Sequence, residues 1–115
     1  MSIKTITPTE VFRLHQESGG ISIIDVREAD EFAEASSPLA ENFPLSAFDA
    51  KIFGKDRDKK SQLYLLCRSG KRSLRAAQIL ESAGFTSVYN IDGGMIAWEG
   101  AGLPIVRKTV AVKSR

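Results

Sequence analysis

The sequence contains a single cysteine, Cys67, and a single histidine, His15. One cysteine cannot form an internal disulfide, and the two residues are too few for a zinc finger. A lone thiol fits a reducing compartment, so we expect a cytoplasmic protein. The sequence also lacks any run of about 18 apolar residues, so no membrane span is expected. The first residues have no apolar stretch that would indicate a secretory signal.

The first half of the chain has few basic residues, and the second half has few acidic ones. Residues 1–50 hold three basic and nine acidic side chains, whereas residues 51–115 hold thirteen basic and five acidic ones. A positive second half favours attraction of a small anion. Nucleic acid is a less favoured partner, because basic residues are not interleaved with aromatic ones.

No internal repeat or linker divides the 115 residues, which is a length typical of one domain. We predict a single domain over residues 1–106. Residues 107–115 form a basic C-terminal tail, which we expect to be loosely ordered.

Short apolar runs predict the strands of a buried parallel sheet. The clearest runs are ISIIDV (21–26), QLYLL (62–66) and SVYNI (87–91), with weaker candidates at residues 4–6 and 42–43. Helices are predicted between them, one opening with Thr7 as N-cap and one over residues 71–83. This alternation predicts a three-layer α/β fold. Such sheets carry their sites at the carboxyl ends of the strands, and Cys67 follows a strand directly.

The segment QLYLLCRSGKRS (62–73) places Cys67 between an apolar run and a cluster of cations. The backbone N–H groups of a strand-to-helix turn can form an anion-binding nest, and the helix dipole adds positive potential. Such surroundings lower a cysteine pKa from about 8.5 to roughly 3.5–7.5. The alternative is a small buried structural cysteine. We favour a reactive thiol, with a substrate-binding loop made of Arg68, Ser69, Gly70, Lys71 and Arg72.

Four segments resemble the single-domain rhodaneses of the sulfurtransferase family: IIDVREADEF (23–32), NFPLS (42–46), CRSGKRS (67–73) and NIDGGMIAWEGAGLPI (90–105). The resemblance covers about residues 6–105. It implies a rhodanese-like fold, with a parallel sheet of about five strands flanked by helices. It also implies that Cys67 is the catalytic residue, that Asp25 and Arg27 support the site, and that no metal or organic cofactor is needed.

The length of the cysteine loop separates two chemistries in this resemblance. Related phosphatases have Cys-x5-Arg, whereas Cys67 and Arg72 form the shorter Cys-x4-Arg loop typical of sulfurtransferases. A shorter loop suits one extra sulfur better than a phosphoryl group. Asp25 could serve as a general acid, but an aspartate ending a core strand more often orders neighbouring backbone. A phosphatase or arsenate reductase is therefore the less favoured interpretation.

The resemblance implies sulfur transfer through a persulfide on Cys67. The donor would be a small anion such as thiosulfate, or a persulfide, and the acceptor cyanide or a thiol, with a protein acceptor as a further option. One segment departs from the family, because residues 35–40 read ASSPLA where Gly-His-Ile-Pro-Gly-Ala is common. We expect a different loop backbone there, arising from simple loop variation or, as the alternative, from a specialised surface for a protein partner. The alternative function is a sulfur-carrier or protein-binding module with little turnover.

Overall fold

The structure is a computed structural model that describes residues 3–107. Seven strands, five α-helices and a short 3-10 turn at Leu45–Ala47 follow one another along the described chain. In order the elements are β1 (Lys4–Ile6), α1 (Pro8–Ser18), β2 (Ser22–Asp25), α2 (Ala29–Glu34), β3 (Ala35–Ser36), β4 (Ala40–Asn42), α3 (Ala50–Phe53), β5 (Gln62–Leu66), α4 (Lys71–Ser82), β6 (Ser87–Ile91), α5 (Gly94–Gly100) and β7 (Val106–Arg107).

Five of the strands form one parallel sheet in the order β1-β6-β5-β2-β4. Strand β5 lies at the centre, so the residue that follows it is flanked by the ends of β2 and β6. The predicted parallel sheet is confirmed. Strands β1, β5 and β6 have the predicted bounds. Strand β2 is shorter than its apolar run, and β4 starts two residues before the expected Asn42.

Both faces of the sheet are covered, which explains why the strands read as continuous apolar runs. Leu63 and Leu65 of β5 face one layer, whereas Tyr64 and Leu66 face the other. The first layer includes α4 and α3, with Ala76, Ala77, Leu80 and Phe53 packed into it. The second layer includes α1 and α5, with Val11, Met95 and Trp98. The fold therefore has three layers.

Local signals set the start of α1 as predicted. The Thr7 side chain accepts a hydrogen bond of 3.2 Å from the Glu10 N–H and caps α1. Helix α4 runs from Lys71 to Ser82, one residue short of the expected end. Helix α2 and the 3-10 turn are additional elements between β2 and α3.

A two-stranded antiparallel ribbon lies outside the main sheet. Ala35 pairs with Arg107 and Ser36 with Val106, so the unusual ASSPLA segment begins as strand β3. Arg107 thus belongs to β7, while residues 108–115 of the predicted tail lie outside the described residues. No helix within residues 3–107 is long and apolar enough to cross a bilayer.

Candidate active site

Cys67 lies at the carboxyl end of the central strand, where its side chain is only 1% exposed. Burial of the leucines in β5 contributes roughly 2 kcal/mol each, which fixes the strand and the loop that follows it. The loop turns at Gly70, whose φ of 106° is accessible mainly to glycine, and α4 begins at the next residue. The thiol therefore points into a tight turn between strand and helix.

The sulfur atom of Cys67 receives hydrogen bonds from the loop and the first turn of α4. The Gly70 N–H lies 3.0 Å from Sγ, and the Ser73 hydroxyl lies 3.3 Å from it. Burial of the thiol acts to raise its pKa, but hydrogen bonds from the Ser73 hydroxyl and from the N–H groups of Ser73, Gly70 and Ser69 outweigh it. The net effect is a Cys67 pKa below its ordinary value.

This lowered pKa agrees with the expected direction, and N–H groups of the predicted nest are among its causes. The Ser73 hydroxyl, which contributes most to the lowering, was not predicted, and the hydrogen bonds contribute more than the cations of the loop. Arg68 and Lys71 are exposed to solvent, where their fields are screened. The third cation, Arg72, is paired with a carboxylate.

The carbonyl groups of Cys67 and Arg68 are bound by α5. The Met95 N–H donates to the Cys67 carbonyl at 2.7 Å, and the Ile96 N–H donates to the Arg68 carbonyl at 3.1 Å. Gly94 allows this approach, because a Cβ built there would lie 2.3 Å from the Cys67 carbonyl oxygen. As a result, the loop directs N–H groups rather than carbonyls toward Sγ.

Arg72 forms a two-pronged ion pair with Glu31 of α2. Nη1 lies 2.6 Å from Oε1 and Nη2 lies 2.9 Å from Oε2. The hydrogen bonds from Arg72 are the main reason that the pKa of Glu31 falls to about 2. The substrate-binding role of Arg72 stays a prediction. Both Nη atoms of its guanidinium are bound to the Glu31 carboxylate.

Asp25 and Arg27 form a buried pair beside the loop. The Asp25 carboxylate accepts bonds from the Arg27 backbone N–H at 2.9 Å and from its guanidinium at 2.9–3.1 Å. Arg27 also donates to the Ala35 carbonyl at 2.7 Å, and the Asn42 amide donates to the carbonyls of Asp25 and Arg27. Asp25 therefore orders neighbouring backbone, as expected, and both residues support the segment that leads into β3.

A pocket of about 200 Å³ opens beside the cysteine loop. Arg68 and Arg27 provide positive charge, and Met95 and Ile96 provide apolar surface. The full lining is Arg27, Ala35, Arg68, Met95, Ile96 and Glu99. Glu99 at its wall is ion-paired with Arg107 of β7. The pocket thus combines an anion-attracting side with an apolar side.

Three residues at the site were not singled out from the sequence: Glu31, Ser73 and Asn90. Ser73 is fully buried, and its hydroxyl oxygen lies 2.5 Å from Oδ1 of Asn90. The Asn90 amide in turn donates to the Gly70 carbonyl at 3.1 Å. The one sequence signal for Asn90 is an amide side chain between Tyr89 and Ile91 in a buried strand. Within residues 3–107, no group of three or more His, Cys, Asp and Glu side chains is arranged to hold a metal ion.

The fold and the cysteine loop define the family of this protein. The family model described as the rhodanese-like domain matches residues 8–101. Because that match spans most of the chain, the protein belongs to the rhodanese-like domain family.

Individual relatives agree with this assignment. YtwF of Bacillus subtilis, provisionally named a sulfurtransferase, is 36% identical over 104 residues, which are 90% of this chain and 98% of that protein. YrkF of the same organism, provisionally named a sulfur carrier protein, is 32% identical over 92 residues, which are 79% of this chain and 49% of that protein. The crystal structure of a rhodanese-like domain protein from Staphylococcus aureus aligns with a TM-score of 0.70 and 33% identity, covering 84% of this chain and 91% of that one. Together these findings support a role in sulfur transfer or sulfur carriage.

Proposed function

We propose that the protein is a sulfurtransferase that carries sulfane sulfur as a persulfide on Cys67. The observation that carries this proposal is the Sγ atom of Cys67, held within 3.0–3.3 Å of the Gly70 N–H and the Ser73 hydroxyl. The same donors that lower the thiol pKa are suited to stabilise the negative charge of a persulfide.

The reaction proceeds in two displacements at sulfur. The Cys67 thiolate attacks the outer sulfur of a donor, a new S–S bond forms, and the donor leaves as sulfite from thiosulfate or as a thiolate from a persulfide. An acceptor thiolate or cyanide then attacks the outer sulfur of the Cys67 persulfide. That step forms a new persulfide or thiocyanate and returns the Cys67 thiolate.

The pocket beside the loop is the proposed entry for donor and acceptor. Arg68 and Lys71 would attract the anionic donor, and the apolar wall of Met95 and Ile96 would contact its organic part. Each step exchanges one sulfur atom between two sulfur nucleophiles, or passes it to cyanide, without net oxidation. A cytoplasmic location would keep the lone thiol reduced between cycles.

A second candidate is a sulfur carrier with little turnover of its own. It is favoured by the similarity to YrkF and by the 1% exposure of Cys67, which restricts access to the sulfur. A phosphatase is less well supported. Asp25, the candidate general acid for that chemistry, is bound to Arg27.

Intact-mass measurement after treatment with thiosulfate, and separately with cysteine persulfide, tests the proposal. We expect a gain of one sulfur atom that cyanide removes and that is absent from Cys67→Ser. No gain with either donor would contradict the proposal. A loaded protein that turns over cyanide or small thiols no faster than Cys67→Ser would instead favour the carrier.

A further inference from the structure

The mouth of the cysteine loop contains acidic as well as basic groups. Glu31 binds both Nη atoms of Arg72, and Glu31 Oε1 also accepts the Glu28 N–H at 3.0 Å. The Glu28 carboxylate accepts a bond of 2.6 Å from the Ser46 hydroxyl. Two carboxylates are therefore held in place at the start of α2, and one of them is bound directly to a cation of the loop.

This arrangement reduces the positive charge that a donor would meet. Arg72 is paired within the site, and a pKa of about 2 keeps Glu31 ionised at neutral pH. Arg68 and Lys71 have no ion-pair partner within residues 3–107, but both are exposed and screened by solvent. Once Cys67 is ionised, its thiolate adds another negative charge at the base of the loop.

A doubly charged donor is poorly matched to such a nearly balanced site. Thiosulfate brings two negative charges to a negatively charged nucleophile, whereas an alkyl persulfide or an alkyl thiosulfonate brings one. Coulomb energy is proportional to the charge of the ligand. Neutralisation of Arg72 by Glu31 therefore weakens the attraction of a dianion twice as much as that of a monoanion. The apolar wall of Met95 and Ile96 also suits an organic group better than a third oxygen.

We propose that Glu31 is a positioning residue that sets donor charge: by neutralising Arg72 it makes the site prefer singly charged organic sulfane-sulfur donors over thiosulfate. This inference rests on the proposed function and names its donor class. The step is balanced for either donor. Cys67 thiolate and methanethiosulfonate give the Cys67 persulfide anion and methanesulfinate, and Cys67 thiolate and thiosulfate give the same persulfide and sulfite.

Methanethiosulfonate and thiosulfate are a matched pair of probes, because a methyl group replaces one charged oxygen beside the same S–S bond. The measurement is the second-order rate constant for loading Cys67, followed by intact mass. In the wild type we expect the monoanion to react faster. In Glu31→Gln we expect the rate constant for thiosulfate to rise about ten-fold and that for methanethiosulfonate about three-fold, as the ratio of their charges requires.

Two further variants separate charge from structure. Glu17 is also bound to an arginine, since Nη1 of Arg13 lies 2.9 Å and 3.1 Å from its two carboxylate oxygens, but it lies near the end of α1, shortly before β2 begins. Glu17→Gln should leave both rate constants unchanged. Adding Arg72→Gln to Glu31→Gln should remove the gain for thiosulfate, because the released positive charge is then absent.

The outcomes distinguish the two proposals. A wild type that prefers thiosulfate, or a Glu31→Gln variant that changes both rate constants by the same factor, overturns this inference and leaves the sulfurtransferase proposal standing. Loading of wild-type Cys67 by neither probe overturns this inference, and the sulfurtransferase proposal falls with it only if cysteine persulfide also fails to load Cys67.

Discussion

The Ser73 hydroxyl lies 3.3 Å from the Cys67 sulfur, and the same oxygen lies 2.5 Å from Oδ1 of Asn90. A hydroxyl has one hydrogen and can donate it to only one of these acceptors at a time. An ionised sulfur is the stronger acceptor, because charge-assisted hydrogen bonds exceed neutral ones. The Ser73 proton is therefore expected to turn toward Sγ when Cys67 is ionised and toward Asn90 when it is not.

Replacing Ser73 by alanine should raise the pKa of Cys67. The Ser73 hydroxyl is the largest of the contributions that lower this pKa, so its loss favours the neutral thiol. Alkylation of Cys67 at neutral pH should slow, with its pH profile displaced to higher pH. Ser82→Ala, at the exposed far end of the same helix, is the control and should leave the profile in place. An unchanged profile in Ser73→Ala would contradict the role given to the hydroxyl.

Gly94→Ala should destabilise the fold and displace the cysteine loop. Its φ is 55°, and the added Cβ would lie 2.3 Å from the Cys67 carbonyl oxygen, a backbone atom that cannot move aside alone. We expect a loss of roughly 3 kcal/mol in the free energy of unfolding, measured with urea. Gly100→Ala, in the same helix but with open space around the new Cβ, should remain close to wild type. Equal losses would contradict the close-approach argument.

Asp25→Asn should cost far more stability than the same change at an exposed pair. Removing the Asp25 charge leaves the Arg27 guanidinium buried and uncompensated, and such losses are about 3–5 kcal/mol. Glu17→Gln removes a surface carboxylate from Arg13, and its effect on urea unfolding should be small. A small loss in Asp25→Asn would show that solvent reaches Arg27.

The Glu31–Arg72 pair should make stability depend on acid pH. The pKa of Glu31 falls from 4.5 to about 2 on folding, so the unfolded chain takes up the proton first. The stabilisation from this pair is complete above pH 4.5, and it is lost as the pH falls toward 2. Urea unfolding across this range should show a steeper loss in the wild type than in Glu31→Gln. Parallel curves would indicate that the pair is not formed in solution.

The parallel sheet could be predicted from the sequence because its strands are buried on both faces. Strand β5 reads QLYLL without alternation, and its predicted bounds are those of the structure. The predicted start of strand β4 was two residues too late, because the segment AEN does not read as an apolar run. This strand is held by its pairing with β2. The ribbon of β3 and β7 depends on contacts between distant segments, which no local pattern indicates.

The part of the candidate site that could be predicted is the part that is continuous in the sequence. The cysteine loop is continuous in sequence, so Cys67 and its N–H donors could be identified together. Glu31 is 41 residues away from Arg72, and Asn90 is 17 residues away from Ser73, so their pairing is set only by the fold. The sequence indicated N–H groups and cations adjacent to Cys67 as sources of the lowered thiol pKa, whereas the folded chain pairs Arg72 with Glu31 and adds the hydroxyl of Ser73.

The attachment of the cysteine loop to α5 limits how this loop can be transplanted. Ser69 and Gly70 keep their N–H groups directed at the sulfur because Met95 and Ile96 hold the carbonyls of Cys67 and Arg68 on the other side. The segment CRSGKRS grafted alone onto another α/β sheet would leave those carbonyls free to rotate inward and repel an anion. A working graft must therefore carry the GGMI turn at residues 93–96 along with the loop, as one unit built from two pieces of chain.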